Sequence, residues 1–298
     1  MQKLWSVLFG VVLLGCFLIT VVALAVIPEQ WGLPSNIAAN YGEKVDNLFY
    51  LILAFVGFFY VLTEVILVVA LFRFVRTDTP HRAVYTHGNH KLELAWTIIP
   101  SAILLYLAYA QISTWELMKY QSHSPDPDQV IQVTARQWEW RMRYRAEVDK
   151  QNLVLAPTKA NEKGWGETPE FDDVHGVNDL HTWKGAKVKI LLKTNDIIHS
   201  FFLPNLRLKQ DALPGKTIPM WFEVNDTNAT FDPAAGKTTI DDKKHWEIAC
   251  AELCGGGHYR MRGRLIVYKD RPEYEAWLKY TKAQQGSRVP ENKVQPAE

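Results

Sequence analysis

Cysteine is scarce in this chain. Only three occur in 298 residues, Cys16, Cys250 and Cys254, which excludes a disulfide framework closed within one chain. An excess of either charge is also missing. Lys and Arg total 33 against 32 for Asp and Glu, a net charge of +1, so a generally basic nucleic-acid binder is excluded. There is no Cys-x-x-Cys-His, so no c-type haem is attached to this chain, and no internal repeat. What is present is apolar: 48% hydrophobic and 12% aromatic residues, too much for a disordered chain. The apolar residues crowd into the first 115 positions, and a polar, strand-like sequence follows. That shift reads as a membrane anchor followed by a water-facing domain.

Residues 5–27 and 94–112 carry no charge, and residues 48–72 carry one, Glu64. Each run is long enough as a helix to cross a hydrocarbon core of roughly 30 Å. For residues 1–27 the first reading is a signal peptide, from Lys3, the apolar run and the small residues of Ala23-Leu24-Ala25. A retained transmembrane helix is second. Lipidation at Cys16 of Leu14-Gly15-Cys16 is third, because the apolar run continues past it. Residues 45–115 read as a transmembrane hairpin whose connection holds Arg73, Arg76, Arg82 and Lys91 against Asp78. The positive-inside tendency puts that connection in the cytoplasm, so everything after about residue 115 faces outward. Pro100 kinks or adjusts the last helix. Glu64 is an acid within the membrane with nothing beside it to complete a relay. It reads as a protonated or hydrogen-bonded group at a contact with another subunit.

Beyond a Pro-punctuated linker at 121–129, short strands are expected at 130–134, 138–145, 187–193, 220–224, 246–249 and 264–268. In residues 138–145 rings and thioether alternate strictly with charges, which puts the charges on one face. Many short strands without helices between them argue for a β-sandwich or Greek-key barrel over residues 125–270. Residues 158–181 read as a surface insertion. Residues 271–298 read as a helix opened by Asp270-Arg271-Pro272-Glu273, then a loose tail after about 285.

The chemistry concentrates in residues 250–261. Cys250, Cys254, His258 and Met261 place two thiolates, an imidazole and a thioether within 12 positions. Soft sulfur with borderline imidazole favours copper over hard cations. Gly255, Gly256 and Gly257 let the backbone turn His258 back toward the sulfurs. A second imidazole is available from His199, just after a strand. Structural zinc is disfavoured by the x3 spacing, the single nearby His and the Met. A Cys250–Cys254 disulfide is an alternative in an oxidising compartment, but it leaves His258 and Met261 without a role. A mononuclear blue-copper site uses one Cys, two His and a distant Met. One Cys too many suggests two metal ions bridged by two sulfurs.

Cys-x-Glu-x-Cys-x3-His-x2-Met, with Asp196-Ile197-Ile198-His199-Ser200-Phe201 upstream, resembles subunit II of the haem–copper cytochrome c oxidases. The likeness extends to Lys209-Gln210-Asp211-Ala212-Leu213-Pro214-Gly215, to Trp138-Glu139-Trp140, and to Glu93-Leu94-Ala95-Trp96-Thr97-Ile98-Ile99-Pro100. It covers roughly residues 45–270. Nitrous-oxide reductase has a similar copper loop without the membrane hairpin, and quinol-oxidase subunits lack the copper ligands.

The resemblance implies a membrane-anchored cupredoxin-like barrel with a dinuclear CuA centre. Cys250 and Cys254 would bridge the coppers, His199 and His258 would each cap one, and Met261 and the Glu252 carbonyl would be weak ligands. The Glu252 carboxylate would help hold Mg²⁺ at the subunit I interface. Trp138 would be the electron entry point, and Glu93 would stand near the mouth of a proton path in subunit I. The implied partners are subunit I, a subunit III, membrane lipid and a cytochrome c or membrane-attached cytochrome, at a bacterial inner membrane. Arg136, Arg141, Arg143 and Arg145 crowd the strand of Trp138, with Glu139 and Glu147, so a neutral, acidic or membrane-attached donor is expected. From a different class, a membrane-anchored copper-delivery protein would expose its thiolates in a flexible segment.

Overall fold

A computed structural model describes residues 2–26, 39, 41–74, 85–119, 126–144 and 173–286. Arg76, Asp78, Arg82, Pro125, Arg145, Glu147, most of the expected insertion and the tail from 287 on lie outside the described residues. The chain divides into two compact units, Met1–Ser35 with Lys44–Thr114, and Asn36–Glu43 with Trp115–Glu298.

The first unit consists of helices. Helix α1 spans Gln2–Val26, α2 Gly42–Arg73 and α3 His90–Lys119. All three are long and apolar enough to cross a membrane. Their ends follow the helix dipole: α2 has Glu43 in its first turn and Arg73 in its last, and α3 has Glu93 and Lys119. Asn89 caps α3 by accepting the Leu92 N–H at 3.2 Å. Pro100 lies inside α3, and helical structure continues through it.

Helices α1 and α2 meet where Ser6 Oγ donates to the Leu71 carbonyl at 3.3 Å. At Gly10 an added Cβ would stand 3.4 Å from Val68 Cγ1, so a small residue brings the helices close. Beside this contact a groove of about 480 Å³ is lined by Val7, Gly10, Leu14, Glu64 and Val68 among others. Glu64 therefore faces α1 of its own chain, where the sequence suggests a contact with another subunit. Its Oε2 is buried without a hydrogen-bond partner among the described residues.

The second unit is a sandwich of two mixed sheets. Its strands are β1 Gln129–Arg136, β2 Glu139–Tyr144, β3 Val174–Val177, β4 Asp179–Trp183, β5 Lys187–Thr194 and β6 His199–Leu203. They continue with β7 Leu208–Ala212, β8 Ile218–Glu223, β9 Ala229–Asp232, β10 Lys237–Ile240, β11 Glu247–Cys250 and β12 Arg262–Tyr268. One sheet runs β3-β2-β1-β5-β8, the other β4-β12-β11-β6-β7, and β9 and β10 form a separate hairpin. The β1/β5 and β4/β12 pairs are parallel and the rest antiparallel. This is the cupredoxin-like arrangement expected from the resemblance.

Period-two alternation turns Ile131, Val133 and Ala135 of β1 inward with Trp140, Met142 and Tyr144 of β2 and Val188, Ile190 and Leu192 of β5. Phe201, Leu203, Ile248, Leu265 and Val267 are buried on the second sheet. Trp140 meets Phe201 edge-on with ring centroids 5.0 Å apart.

The structure corrects several expectations. Trp138 lies in the β1–β2 turn, outside the strand. The charges of β2 are not all on a solvated face, because Arg143 is buried and its Nε donates to the buried carboxylate of Asp173. The end of the expected surface insertion, residues 173–181, enters β3 and β4, and β4 pairs with β12 inside the second sheet. His199 follows strand β5, as expected, and is itself the first residue of β6.

Helix α4, Arg271–Gly286, forms as expected. Asp270 Oδ1 accepts the Glu273 N–H at 3.1 Å, and the Glu273 carboxylate accepts the Lys269 N–H at 3.1 Å and the Phe231 N–H at 2.6 Å. Its buried Tyr274, Trp277 and Leu278 pack on the sandwich. Trp277 stacks on His181 with centroids 3.8 Å apart, and His181 Nδ1 lies 2.9 Å from the Tyr268 hydroxyl. Burial, helped by the charge of Arg264, pushes the His181 imidazole from 6.5 down to about 3. The unfolded chain takes up this proton near pH 6.5, whereas the folded one resists it. The contribution is therefore whole above pH 6.5 and declines as pH falls toward 3. Between pH 7 and pH 5 the loss is about 2 kcal/mol. Urea melts at the two pH values measure it, and a His181→Gln chain is expected to lose that part of the slope.

Candidate metal centre

The metal-ligand motif occupies the loop from β11 to β12. Cys250 ends β11, and its N–H donates to the Met261 carbonyl at 3.2 Å, so the loop is pinched at its base. The Ala251 N–H donates to the Ser200 carbonyl of β6 at 3.0 Å. Two of the three glycines are required for distinct reasons. Gly255 has φ of 106°, in the left-handed region. At Gly257 an added Cβ would meet Trp138 Cδ2 at 2.3 Å, so only a bare backbone fits under the indole.

The expected donors converge. Cys250 Sγ and Cys254 Sγ are 3.7 Å apart. His199 Nδ1 is 3.9 Å from Cys250 Sγ, and His258 Nδ1 is 3.5 Å from Cys254 Sγ. Met261 Sδ is 3.8 Å from Cys254 Sγ, and the Glu252 carbonyl is 3.3 Å from Cys250 Sγ. The donor atoms of His199, Cys250 and Cys254 all lie within 4.8 Å of one another. His199, Cys254 and Met261 are fully buried, Cys250 and His258 are half-buried, and Glu252 is exposed.

Both cysteines are free. Their separation is far from a disulfide bond of about 2.05 Å. Two thiolates on one tetrahedral ion, each bonded at about 2.3 Å, stand about 3.8 Å apart. The donor spacing thus fits ions held between sulfurs, and the soft thioether beside them fits copper.

The electrostatics point the same way. Burial pushes the Cys250 thiol up, but hydrogen bonding with His199 and with backbone at Ser200 and Glu252 outweighs it, bringing it down to about 6. Burial, then the neighbouring Cys250 sulfur, drives Cys254 up to about 12. One thiolate forms readily and the second resists. A cation between the sulfurs removes that repulsion.

Asp196 and Gln137 tie the site together. In the sequence Asp196 is only one residue of the motif around His199, and nothing singles out Gln137. Asp196 Oδ1 accepts from His199 Nε2 at 2.8 Å, which leaves Nδ1 facing the sulfurs. Its Oδ2 accepts the Gln137 N–H at 2.7 Å. Burial pushes the Asp196 carboxyl up, but these bonds and those from the Ile197 N–H and Thr194 hydroxyl hold it at about 2. His199 is raised: hydrogen bonding to Cys250 and Asp196 overcomes burial. Two donors from the β1–β2 turn grip the copper loop, Gln137 Nε2 at 2.9 Å and Trp138 Nε1 at 3.0 Å from the Cys254 carbonyl. The proximity of Asp196 to His199 and of Gln137 to Trp138 in sequence was the available signal.

Trp138 is half-buried, so only part of its ring is open to a docking partner. Glu93 belongs to the first unit, on the first turn of α3, where it meets His90 Nδ1 at 3.2 Å. The Glu252 backbone is at the cluster and its side chain is in solvent.

Two family models match the chain. Cytochrome C oxidase subunit II, transmembrane domain, matches residues 28–113, and Cytochrome C oxidase subunit II, periplasmic domain, matches residues 129–267. The alternative cytochrome c oxidase subunit 2 of Bradyrhizobium diazoefficiens is 30% identical over 262 residues, covering 85% of this chain and 84% of that protein. The cytochrome c oxidase subunit 2 of Thermostichus vulcanus is 24% identical, covering 94% of this chain and 86% of that protein. Among solved structures, the periplasmic domain of subunit II of the Bradyrhizobium japonicum cytochrome oxidase aligns with 54% of this chain and 98% of its own, at 20% identity and a TM-score of 0.38.

Proposed function

We propose, on the premise that this chain belongs to the cytochrome c oxidase subunit II family, that it is the electron-entry subunit of a terminal oxidase and receives electrons at a dinuclear CuA centre. As a family member it is a membrane protein with an outer-side domain, a subunit of the haem–copper oxidase complex and a partner of subunit I. The finer reading rests on one observation: two sulfurs 3.7 Å apart with an imidazole Nδ1 beyond each, His199 at Cys250 and His258 at Cys254.

In this reading Cys250, Cys254, His199 and His258 would hold the copper pair, with Met261 and the Glu252 carbonyl as weaker donors. Bound there, a copper pair supplies a one-electron relay between an external cytochrome and haem in subunit I. The chain's own residues make that relay rigid. Asp196 fixes the His199 ring, β11 and β12 fix the sulfurs, and burial of His199, Cys254 and Met261 keeps water out. Trp138 is the entry residue. Its N–H donates to the carbonyl of Cys254, so a route from the indole to Sγ crosses a single hydrogen bond.

The remaining assignments are carried by the resemblance. The Glu252 carboxylate, exposed on the loop, would hold Mg²⁺ with subunit I. Glu93 would serve a proton-path entrance, residues 1–27 would be a leader or third span, and subunit III and a bacterial inner membrane would complete the setting. Burial of Cys254 and the fixing of Cys250 at the end of β11 argue against a copper-delivery role, which needs thiolates in an accessible flexible segment.

Copper analysis and EPR of the purified chain test the centre. Two coppers per chain and a mixed-valence hyperfine pattern are expected. Fewer than two, or a colourless EPR-silent cuprous protein, overturns the reading.

A further inference from the structure

The surroundings of Trp138 point to what docks there. Arg136 and Arg141 flank the β1–β2 turn, and each donates through Nε to one atom, Glu139 Oε1, at 2.6 Å. The carboxylate lies beneath, with 24% of its side chain exposed, against 43% for Arg136 and 50% for Arg141. Two guanidiniums on one carboxylate leave a positive charge in excess. Only Nε of each is engaged in these bonds, so the Nη groups of these partly exposed side chains remain available to further carboxylates. A third guanidinium, Arg260, lies 5.6 Å from the centroid of the Trp138 ring on an exposed residue of the copper loop.

The nearby acid offsets them only in part, since three guanidiniums stand against two carboxylates, Glu139 and Asp196. Asp196 keeps 29% of its side chain exposed, and its two oxygens are engaged by Gln137 N, Ile197 N, Thr194 Oγ1 and His199 Nε2. Arg143, which the sequence placed on this face, is withdrawn into its pair with Asp173. The excess is thus carried by Arg136, Arg141 and Arg260.

We infer that this face docks an acidic c-type cytochrome, whose carboxylates around the haem edge engage Arg136, Arg141 and Arg260 while the edge approaches Trp138. The inference rests on the reading of Trp138 as the entry residue and deepens it by naming the charge class of the donor. Guanidinium forks preset on Glu139 recognise carboxylates with little reorganisation, and a lysine-rich cytochrome meets like charge.

The test uses the whole oxidase complex and two probes of one shape, a basic soluble cytochrome c and the same cytochrome succinylated at its lysines. Copper content is measured first, so failure of the centre is seen separately. Binding to the immobilised complex is read alongside the oxidation rate, because binding does not depend on copper. The succinylated form is expected to bind tighter and react roughly tenfold faster at low salt, with the advantage fading as ionic strength rises past about 0.1 M. The basic form is expected to gain with salt. Arg136→Gln with Arg141→Gln, and separately the exposed Arg260→Gln, are expected to shrink the preference by roughly fivefold with the copper spectrum unchanged. Tighter binding of the basic cytochrome, equal binding of both, or a preference untouched by the arginine variants overturns the inference.

Discussion

Replacing Cys254 with serine is expected to abolish two-copper loading and to slow electron entry by more than about 100-fold, beyond the 10–100-fold typical of removing an outer partner of a metal ligand. Cys254 is the hub of the donor set. Its Sγ is 3.7 Å from Cys250 Sγ, 3.5 Å from His258 Nδ1 and 3.8 Å from Met261 Sδ. Serine is smaller and hard, and its hydroxyl does not ionise near neutral pH, so it offers neither charge nor softness. The fold should survive, because the clamp from Gln137 and Trp138 holds the backbone carbonyl and not the sulfur. Metal content, the visible spectrum and a thermal melt of the same sample measure this. Retention of two coppers with an unchanged spectrum would show that the sulfur is not a ligand.

Arg143→Met is the second large effect, and it falls on stability. Arg143 is 5% exposed and pairs with Asp173, whose side chain is 1% exposed. Arg143 Nη1 also donates to Gln132 Oε1 at 3.1 Å. Removing the guanidinium strands a carboxylate away from water and costs about 3–5 kcal/mol. For a domain of this size that lowers Tm by roughly 10 °C. Adding Asp173→Leu to Arg143→Met should restore much of the loss, since an apolar pair leaves no orphaned charge. A single variant that melts within about 2 °C of the parent would show that the pair contributes little.

These two sites differ in how far sequence reveals them. The candidate metal donors were legible because four of them share one loop and metal chemistry restricts residue type and spacing. The helices were legible because an apolar thickness imposes a length, and helix α4 because its cap and first turn are local. Arg143 was misread. Alternation along β2 predicts an outward charge, and the Asp173 that draws it in lies 30 positions later. Strand β4, Asp-Leu-His-Thr-Trp, has no run of branched residues, and its place between Tyr144, Trp277 and Tyr268 is set by packing. The link between Asp196 and Gln137 spans 59 positions, and only the closed sandwich brings them together. Trp138 stood out in the sequence as an aromatic beside charges, but its half-buried seat on Gly257 depends on a contact between two distant loops.

The copper loop is stitched to both layers of the sandwich. Ala251 is tied to Ser200 in one sheet, and the carbonyl of Cys254 is held by the turn joining β1 and β2 in the other. Sliding of one layer over the other would therefore pull Cys250 and Cys254 out of step. With the proposed copper pair bound, the colour is expected to act as an internal strain gauge, changing during heating before tryptophan fluorescence reports unfolding.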